Sequence, residues 1–141
     1  MNYQKLRSRI KKNEGFSLKP YKDSLGFLTI GYGHLILPAE KNLIEKKIDK
    51  KTLEKIFNDD FNKSLFEFNK LLKPLCNDRK VSELLIEMIF QMGIFNVLSF
   101  KKLINNINKK NKYLVCFEMM NSIWYKQTPK RVKNLITIFL K

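Results

Sequence analysis

Acidic residues are scarce in this chain: 13 Asp and Glu stand against 28 Lys and Arg in 141 residues, a formal net charge of +15. Such an imbalance favours nucleic acid, anionic lipid or an anionic cell-wall polymer as a partner. Only four of the basic residues are Arg, and Asn and Ile are also abundant, so part of the charge reflects composition of the kind an A+T-rich genome gives. Cysteine is nearly absent. Cys76 and Cys116 allow at most one disulfide, no CxxC or Cys/His cluster has metal-ligand spacing, and both residues read as buried free thiols. No apolar run approaches the length of a membrane span, and "MNYQKLRSRIKKNEG" contains no signal-peptide core. The chain is therefore expected to be made as a soluble cytoplasmic protein without stable membrane insertion. Four prolines, no repeat and no low-complexity tract leave room for one compact domain with a real core.

What is present divides into a β-rich part and a helical part. Tyr3, Leu6 and Ile10 recur at helical spacing and Gly15 is a plausible stop, which predicts a helix over residues 3 to about 13. Pro20, Gly26, Gly31 and Gly33 then interrupt short β-prone runs, predicting a small antiparallel sheet with a turn at Ser24–Gly26. Asp49 is positioned to cap a long helix over about 50–72, whose inward face would carry Leu53, Ile56, Phe57, Asp60, Phe61 and Ser64, extended by Leu65, Phe68, Leu71 and Leu72. Pro74 ends it. "VSELLIEMIFQMG" is apolar almost all round and reads as the core helix; shorter helices follow over 100–109 and 112–121. The last helix shows Val132, Leu135, Ile136 and Phe139 at i, i+3, i+4 and i+7. The fold class is α+β. A β-lobe of about 14–50 and a helical lobe of about 73–141, with the N-terminal helix 3–13, are joined by the long helix and are expected to leave a ligand cleft.

The segment "EGFSLKPYKDSLGFLTIGYGH", residues 14 to 34, concentrates groups that can do chemistry. Glycoside hydrolysis needs a protonated carboxylic acid beside the leaving oxygen and a second carboxylate across the scissile bond. Glu14 falls at the C-terminal end of the first helix, where the negative pole of the helix dipole disfavours a further negative charge. Asp23 would sit on the neighbouring strand or turn. Thr29 could hold a water by its hydroxyl. Glu, Asp and Thr are common, and such a triplet is more often solvated surface than a site.

The surrounding motifs sharpen that reading. Glu14-Gly15, Tyr21-Lys22-Asp23 and Thr29-Ile30-Gly31-Tyr32-Gly33-His34 together resemble the active-site segment of the phage-type lysozymes, the T-even phage lysozyme family of glycoside hydrolases. "MIFQMG" at 88–93 resembles the buried helix of that family's C-terminal lobe, and "WYKQTPKRVKNLITIF" at 124–139 its Trp-Tyr-x-Gln-Thr-Pro-x-Arg stretch. The resemblance implies a lysozyme-like fold, with Glu14 as general acid, Asp23 as second carboxylate and Thr29 positioning the attacking water. It implies inversion at the anomeric carbon and, as substrate, the β-1,4 bond between N-acetylmuramic acid and N-acetylglucosamine in peptidoglycan. Leu35 and Phe90 match positions that touch the glycan. Arg131 matches an Arg that approaches the catalytic Glu, which would lower the pKa of Glu14. Asp60 matches an acid that reaches back to His34, the single histidine, which is read as structural.

The departures are specific. The segment between His34 and the long helix is shorter than in the T-even protein, and the family's final short helix has no counterpart. Leu103 and Glu118 replace a small hydroxyl and an amide at two cleft positions, and Asn13 and Asn134 replace both members of an ion pair beside the catalytic Glu. Trp124 and Tyr125 read as packing residues. The expectation is a monomeric, cofactor-free and metal-free muramidase acting on peptidoglycan. Its expected context is a phage endolysin, held in the host cytoplasm until a holin lesion releases it to the wall. A tail-associated phage lysozyme is the alternative within the same chemistry. A non-catalytic cationic wall- or membrane-binding protein is opposed by the intact Glu14, Asp23 and Thr29. Nucleic acid is the weakest partner, since the basic residues form no base-reading motif.

Overall fold

The computed structural model describes residues 2–141, which form two compact units, the first ending at Lys63 and the second spanning Ser64–Lys141. Helices account for 69% of the chain, and among the described residues one three-stranded antiparallel sheet supplies the β structure, an α+β fold. The first unit groups the N-terminal helix α1 (Gln4–Glu14) with the sheet, whereas the sequence reading attaches that helix to the helical lobe. Leu6 and Ile10 of α1 are buried, as their spacing requires. The helix stops at Gly15, whose φ of 75° only glycine adopts readily.

The sheet runs β1 (Ser17–Lys22), β2 (Leu28–Gly31) and β3 (His34–Leu35), in that order. Tyr21 faces Thr29 and Lys22 faces Leu28 across the first pair, but Ser17 faces Gly31, so β1 carries an irregularity between Ser17 and Tyr21. Pro20 lies in that stretch, where a residue without an N–H is tolerated. Thr29 faces Leu35 and Ile30 faces His34 across the second pair. Behind the sheet, Ile30 packs with Leu43 and Leu53, and Ile36, Ile48 and Ile56 close around them. Leu43 comes from α2 (Asn42–Glu45), a one-turn helix that follows a 3₁₀ turn at Pro38–Glu40. Neither element is expected from the sequence, because four residues cannot display a helical period.

Helix α3 (Lys50–Leu71) starts where Asp49 predicts: its Oδ1 accepts from Thr52 N at 2.8 Å. Hydrogen bonds from the Thr52 side chain and then from its backbone hold the Asp49 carboxyl below the usual carboxylate range. Leu53, Phe57, Phe61, Ser64, Phe68 and Leu72 form the buried stripe that continues through the helix end. Ile56, Asp60 and Leu65 are only half-buried and Leu71 is exposed, so the inward face is narrower than the sequence implies. In the first unit Arg7 reinforces the contact of α1 with α3, its guanidinium lying 4.2 Å from the Phe61 ring centre and bonded to Asn58 and Asn62.

The second unit is built on α4 (Arg79–Met92), against which α5 (Ile94–Leu98) and α9 (Pro129–Leu140) pack. Asp78 caps α4, its Oδ1 accepting from Lys80 N and Val81 N. Helices α6 (Lys101–Asn108), α7 (Lys112–Met120) and α8 (Ile123–Gln127) complete it. Trp124 is buried and its indole N–H donates to Gln91 Oε1 at 2.9 Å, while Gln91 Nε2 reaches Thr128 Oγ1. Those residues are structural, as the sequence suggests. Cys116 is buried and Cys76 only half-buried; both are free thiols, and burial pushes both pKa values up. Glu87 is fully buried within α4 and pairs with Arg131 of α9 at 3.1 Å. Breaking such a pair strands a buried charge at a cost of about 3–5 kcal/mol, so the two residues constrain each other strictly.

Helix α6 ends in a Schellman turn: Lys110 N donates to Ile107 O and Asn111 N to Asn106 O. The left-handed position, usually glycine, is held by Lys110 at φ 56°. A side chain there costs about 1–2 kcal/mol, partly offset by the greater unfolded-state entropy of glycine. Lys110→Gly should therefore raise stability by roughly 0.5–1 kcal/mol, read as a higher urea midpoint at unchanged m-value. An unchanged or lower midpoint would show that Lys110 has compensating contacts.

Candidate active site

Of the sequence-predicted residues, Glu14 meets the turn between β2 and β3, Asp23 holds the turn between β1 and β2 at the other end of β2, and Thr29 lies on β2 between them. Glu14 is the last residue of α1, and its carboxylate lies against the backbone of Gly33. A methyl group added at Gly33 would stand 2.5 Å from Glu14 Oε1 and 3.1 Å from its carboxyl carbon. Gly33 also adopts φ 74°, so it meets two demands with one residue type: a left-handed backbone and space for the acid.

Asp23 directly follows β1 and organises the turn. Its Oδ1 accepts from Leu25 N at 2.9 Å and Phe27 N at 2.8 Å, and its own N–H donates to Phe27 O. Two backbone donors on one oxygen fix the carboxylate plane, and Oδ2 has no protein partner among the described residues. Thr29 follows on β2, 4% exposed, with its hydroxyl donating to Phe27 O at 3.0 Å. With that proton committed, the oxygen offers lone pairs. Tyr21, paired with Thr29 across the sheet, connects the two carboxylates electrostatically: burial first, then the charges of Glu14 and Asp23, push its phenol pKa up. The phenol therefore stays protonated between two acids.

A second network fixes α1 just before Glu14. Lys11 Nζ and Tyr32 OH each donate to a different oxygen of Glu54, both at 2.6 Å. The Tyr32 hydroxyl, bonded to that carboxylate, is pushed up to about 12, and Glu54 is held below the usual carboxylate range by Lys11 and then by Tyr32. Lys11 sits three residues before Glu14 on the same helix face, and Tyr32 stands between Gly31 and Gly33. Tyr32 enters the sequence reading only as a motif residue, and neither Lys11 nor Glu54 is given a role there; the shared helix face of Lys11 and Glu14 was the available signal.

His34 lies on β3 with both ring nitrogens engaged. Nδ1 is 2.7 Å from Asp60 Oδ2 on α3, and Nε2 is 3.0 and 3.1 Å from the oxygens of Glu40. The sequence pairs His34 with Asp60; Glu40, from the 3₁₀ turn, is an additional partner. The hydrogen bond to Asp60, above all, outweighs burial and raises the His34 pKa from 6.5 to about 9. An imidazolium donating from both nitrogens has no lone pair to offer, so it cannot serve as a base or metal ligand in this state. No group of three or more His, Cys, Asp or Glu among the described residues could hold a metal ion.

The remaining candidates differ in placement. Leu35 is exposed on β3 opposite Thr29. Phe90 is half-buried on α4 and Arg131 pairs with Glu87, both in the second unit. Leu103 is 1% exposed, which removes it from any surface contact with substrate; Glu118 is half-buried on α7.

An acid ending a helix, a second carboxylate pinned by a turn and a hydroxyl on the intervening strand make up the equipment of a glycoside hydrolase. The chain belongs to the phage lysozyme family, whose sequence profile matches residues 11–137. Two relatives, the probable T4-type lysozymes 1 and 2 of Dictyostelium discoideum, are each 34% identical to it, over 94% and 95% of this chain and 92% of each relative. Those alignments, at 159 and 160 positions, are longer than the chain, so the relatives carry segments it lacks. Membership makes the chain a lysozyme, a glycoside hydrolase with muramidase-like function and peptidoglycan as its substrate.

Two consequences follow from this geometry. Gly33→Ala should leave the protein folded yet cut lytic activity at least tenfold, because a displaced Glu14 loses its alignment. Full activity with a normal circular dichroism spectrum would show that the acid tolerates the displacement.

For His34, the folded pKa is above the unfolded value, so its contribution to stability is complete below pH 6.5 and is lost as pH rises through about 9. The separation corresponds to on the order of 3 kcal/mol. Asp60→Asn should move the imidazole pKa back toward 6.5 and flatten the alkaline fall in urea midpoint, both measurable on the single histidine by NMR and denaturation. A wild-type imidazole titrating at 6.5 would contradict the network.

Proposed function

We propose that this chain is a phage endolysin that hydrolyses the β-1,4 bond between N-acetylmuramic acid and N-acetylglucosamine with inversion at the anomeric carbon. The observation that supports this most directly is the Glu14 carboxylate seated against Gly33 at one end of β2, with the turn-pinned Asp23 at the other end and Thr29 on the strand between them.

In this mechanism the protonated Glu14 gives its proton to the bridging oxygen as the C1–O bond breaks. A water held by the lone pairs of Thr29 Oγ1 attacks C1 from the opposite face and passes a proton to Asp23 Oδ2. The anomeric carbon inverts, Glu14 is left ionised and Asp23 protonated, and solvent exchange resets both. The near-complete burial of Thr29 suits a partner no larger than water. The Tyr21 phenol stays neutral in the field of both carboxylates. Leu35 offers an exposed apolar contact to the glycan beside Thr29. The glycan contact proposed for Phe90 rests on the family resemblance. The enzyme acts as a monomer, with no cofactor, held in the host cytoplasm until a holin lesion admits it to the wall.

Glu14→Gln is the test, because an amide cannot donate the proton. Clearing of purified peptidoglycan should slow by 10²–10⁴-fold or more, with secondary structure unchanged. More than about a tenth of the wild-type rate would remove Glu14 from the acid role. The anomeric signal of the first-formed product, followed by NMR, distinguishes inversion from retention.

A further inference from the structure

The solvent-facing side of α7 is apolar. Successive residues turn by about 100°, which places Met120, Tyr113, Phe117 and Leu114 within one arc of roughly 120°. All four are exposed, Tyr113 at 79%, Phe117 at 57% and Met120 at 52%, while Val115, Cys116 and Met119 supply the buried side. Ile123, at the start of α8 three residues after Met120, is 72% exposed. A surface helix normally carries its polar residues on this side, and a contiguous exposed apolar patch marks an interaction surface.

The charge around it restricts the occupant. From Lys101 to Lys141 there are ten Lys and Arg and one acid, Glu118. Lys109 and Lys110 stand exposed at the turn that leads into α7, and Lys126 beyond its C-terminal end. Lys110 holds a left-handed backbone position that glycine would fill with less strain. A second copy of the chain would bring its own +15 charge against this surface. A glycan or phosphate polymer offers negative charge but no apolar phase. An anionic phospholipid bilayer offers both within roughly 10 Å, the depth to which interfacial helices bury their apolar faces.

We infer that the α7 stripe, with Ile123 and the flanking lysines, is a peripheral docking surface for anionic phospholipid bilayers. No helix among the described residues is long and apolar enough to cross a membrane, which agrees with binding at the surface. The stripe contains none of the candidate catalytic residues and, on the endolysin reading proposed above, would serve an enzyme that meets the inner face of the membrane before the wall.

The test uses the full chain and sedimentation with vesicles of phosphatidylglycerol and phosphatidylcholine, against vesicles of phosphatidylcholine alone. Wild type should partition at least tenfold more strongly onto the anionic vesicles, and the triple variant Tyr113→Ser, Phe117→Ser, Met120→Ser should lose at least tenfold of that binding. Lys110→Gly should weaken binding without loss of stability, which separates a membrane role from a folding one. All variants should clear purified peptidoglycan at the wild-type rate. Unchanged vesicle binding by the triple variant would overturn the proposal, leaving charge alone as the cause. Vesicle-free, concentration-dependent self-association lost in the triple variant would overturn it in favour of a second copy.

Discussion

The imidazolium of His34 joins three segments that share no backbone hydrogen-bond ladder. Its strand, β3, pairs with β2; Asp60 belongs to α3; Glu40 belongs to the 3₁₀ turn that leads into α2. Glu40 also accepts from Leu37 N, so one carboxylate closes the turn and binds the ring together. Because β3 is only two residues long, ladder bonds alone would hold it weakly, and β2 carries Thr29 directly beside it. A charged, doubly bonded histidine supplies the missing rigidity, since charge-assisted bonds are the stronger kind. With both ring nitrogens bonded, the single histidine has no free nitrogen to act as a base.

The acid itself is placed by opposing requirements. Lys11 and Tyr32, through Glu54, hold α1 to the glycine turn and to α3. Gly33 then yields the space into which Glu14 fits. Aromatic stacking adds to this: the Phe16 and Tyr32 rings lie 4.8 Å apart, and Tyr32 meets Phe57 edge-on at 5.4 Å. The carboxylate is thus held in a frame of one cation, one cluster of aromatic rings and one absent side chain.

Much of this was legible in the sequence, for physical reasons that can be named. Leu6 and Ile10, the Asp49 cap and the apolar run of α4 belong to long periodic elements, where local pattern and tertiary packing agree. The helix α2 and the 3₁₀ turn were not legible, because they are shorter than the period that would reveal them. Glu40 was missed with them, as its approach to His34 depends on the path of that turn. The stripe on α3 proved narrower than the count of apolar residues suggested, since Leu71 is solvent-facing. Glu87 gave a signal that went unused: an acid inside an otherwise apolar helix needs a buried cation, and Arg131 supplies it. Motif likeness located Glu14, Asp23 and Thr29, while the turn bonds of Asp23 and the contact of Glu14 with Gly33 required coordinates.

The single tryptophan has an optical consequence. Trp124 is buried in the second unit, its N–H bonded to Gln91 and its ring edge-on to Phe100 at 6.2 Å. All indole emission from this protein therefore originates between Ser64 and Lys141. Tyrosines, by contrast, occur in both units, and Tyr21 and Tyr32 sit at the sheet. Fluorescence excited at the indole band would trace the opening of the helical unit and stay blind to a loosening of the sheet. A mismatch between indole and tyrosine unfolding curves would thus reveal whether the scaffold of the reaction melts with the rest of the molecule or ahead of it.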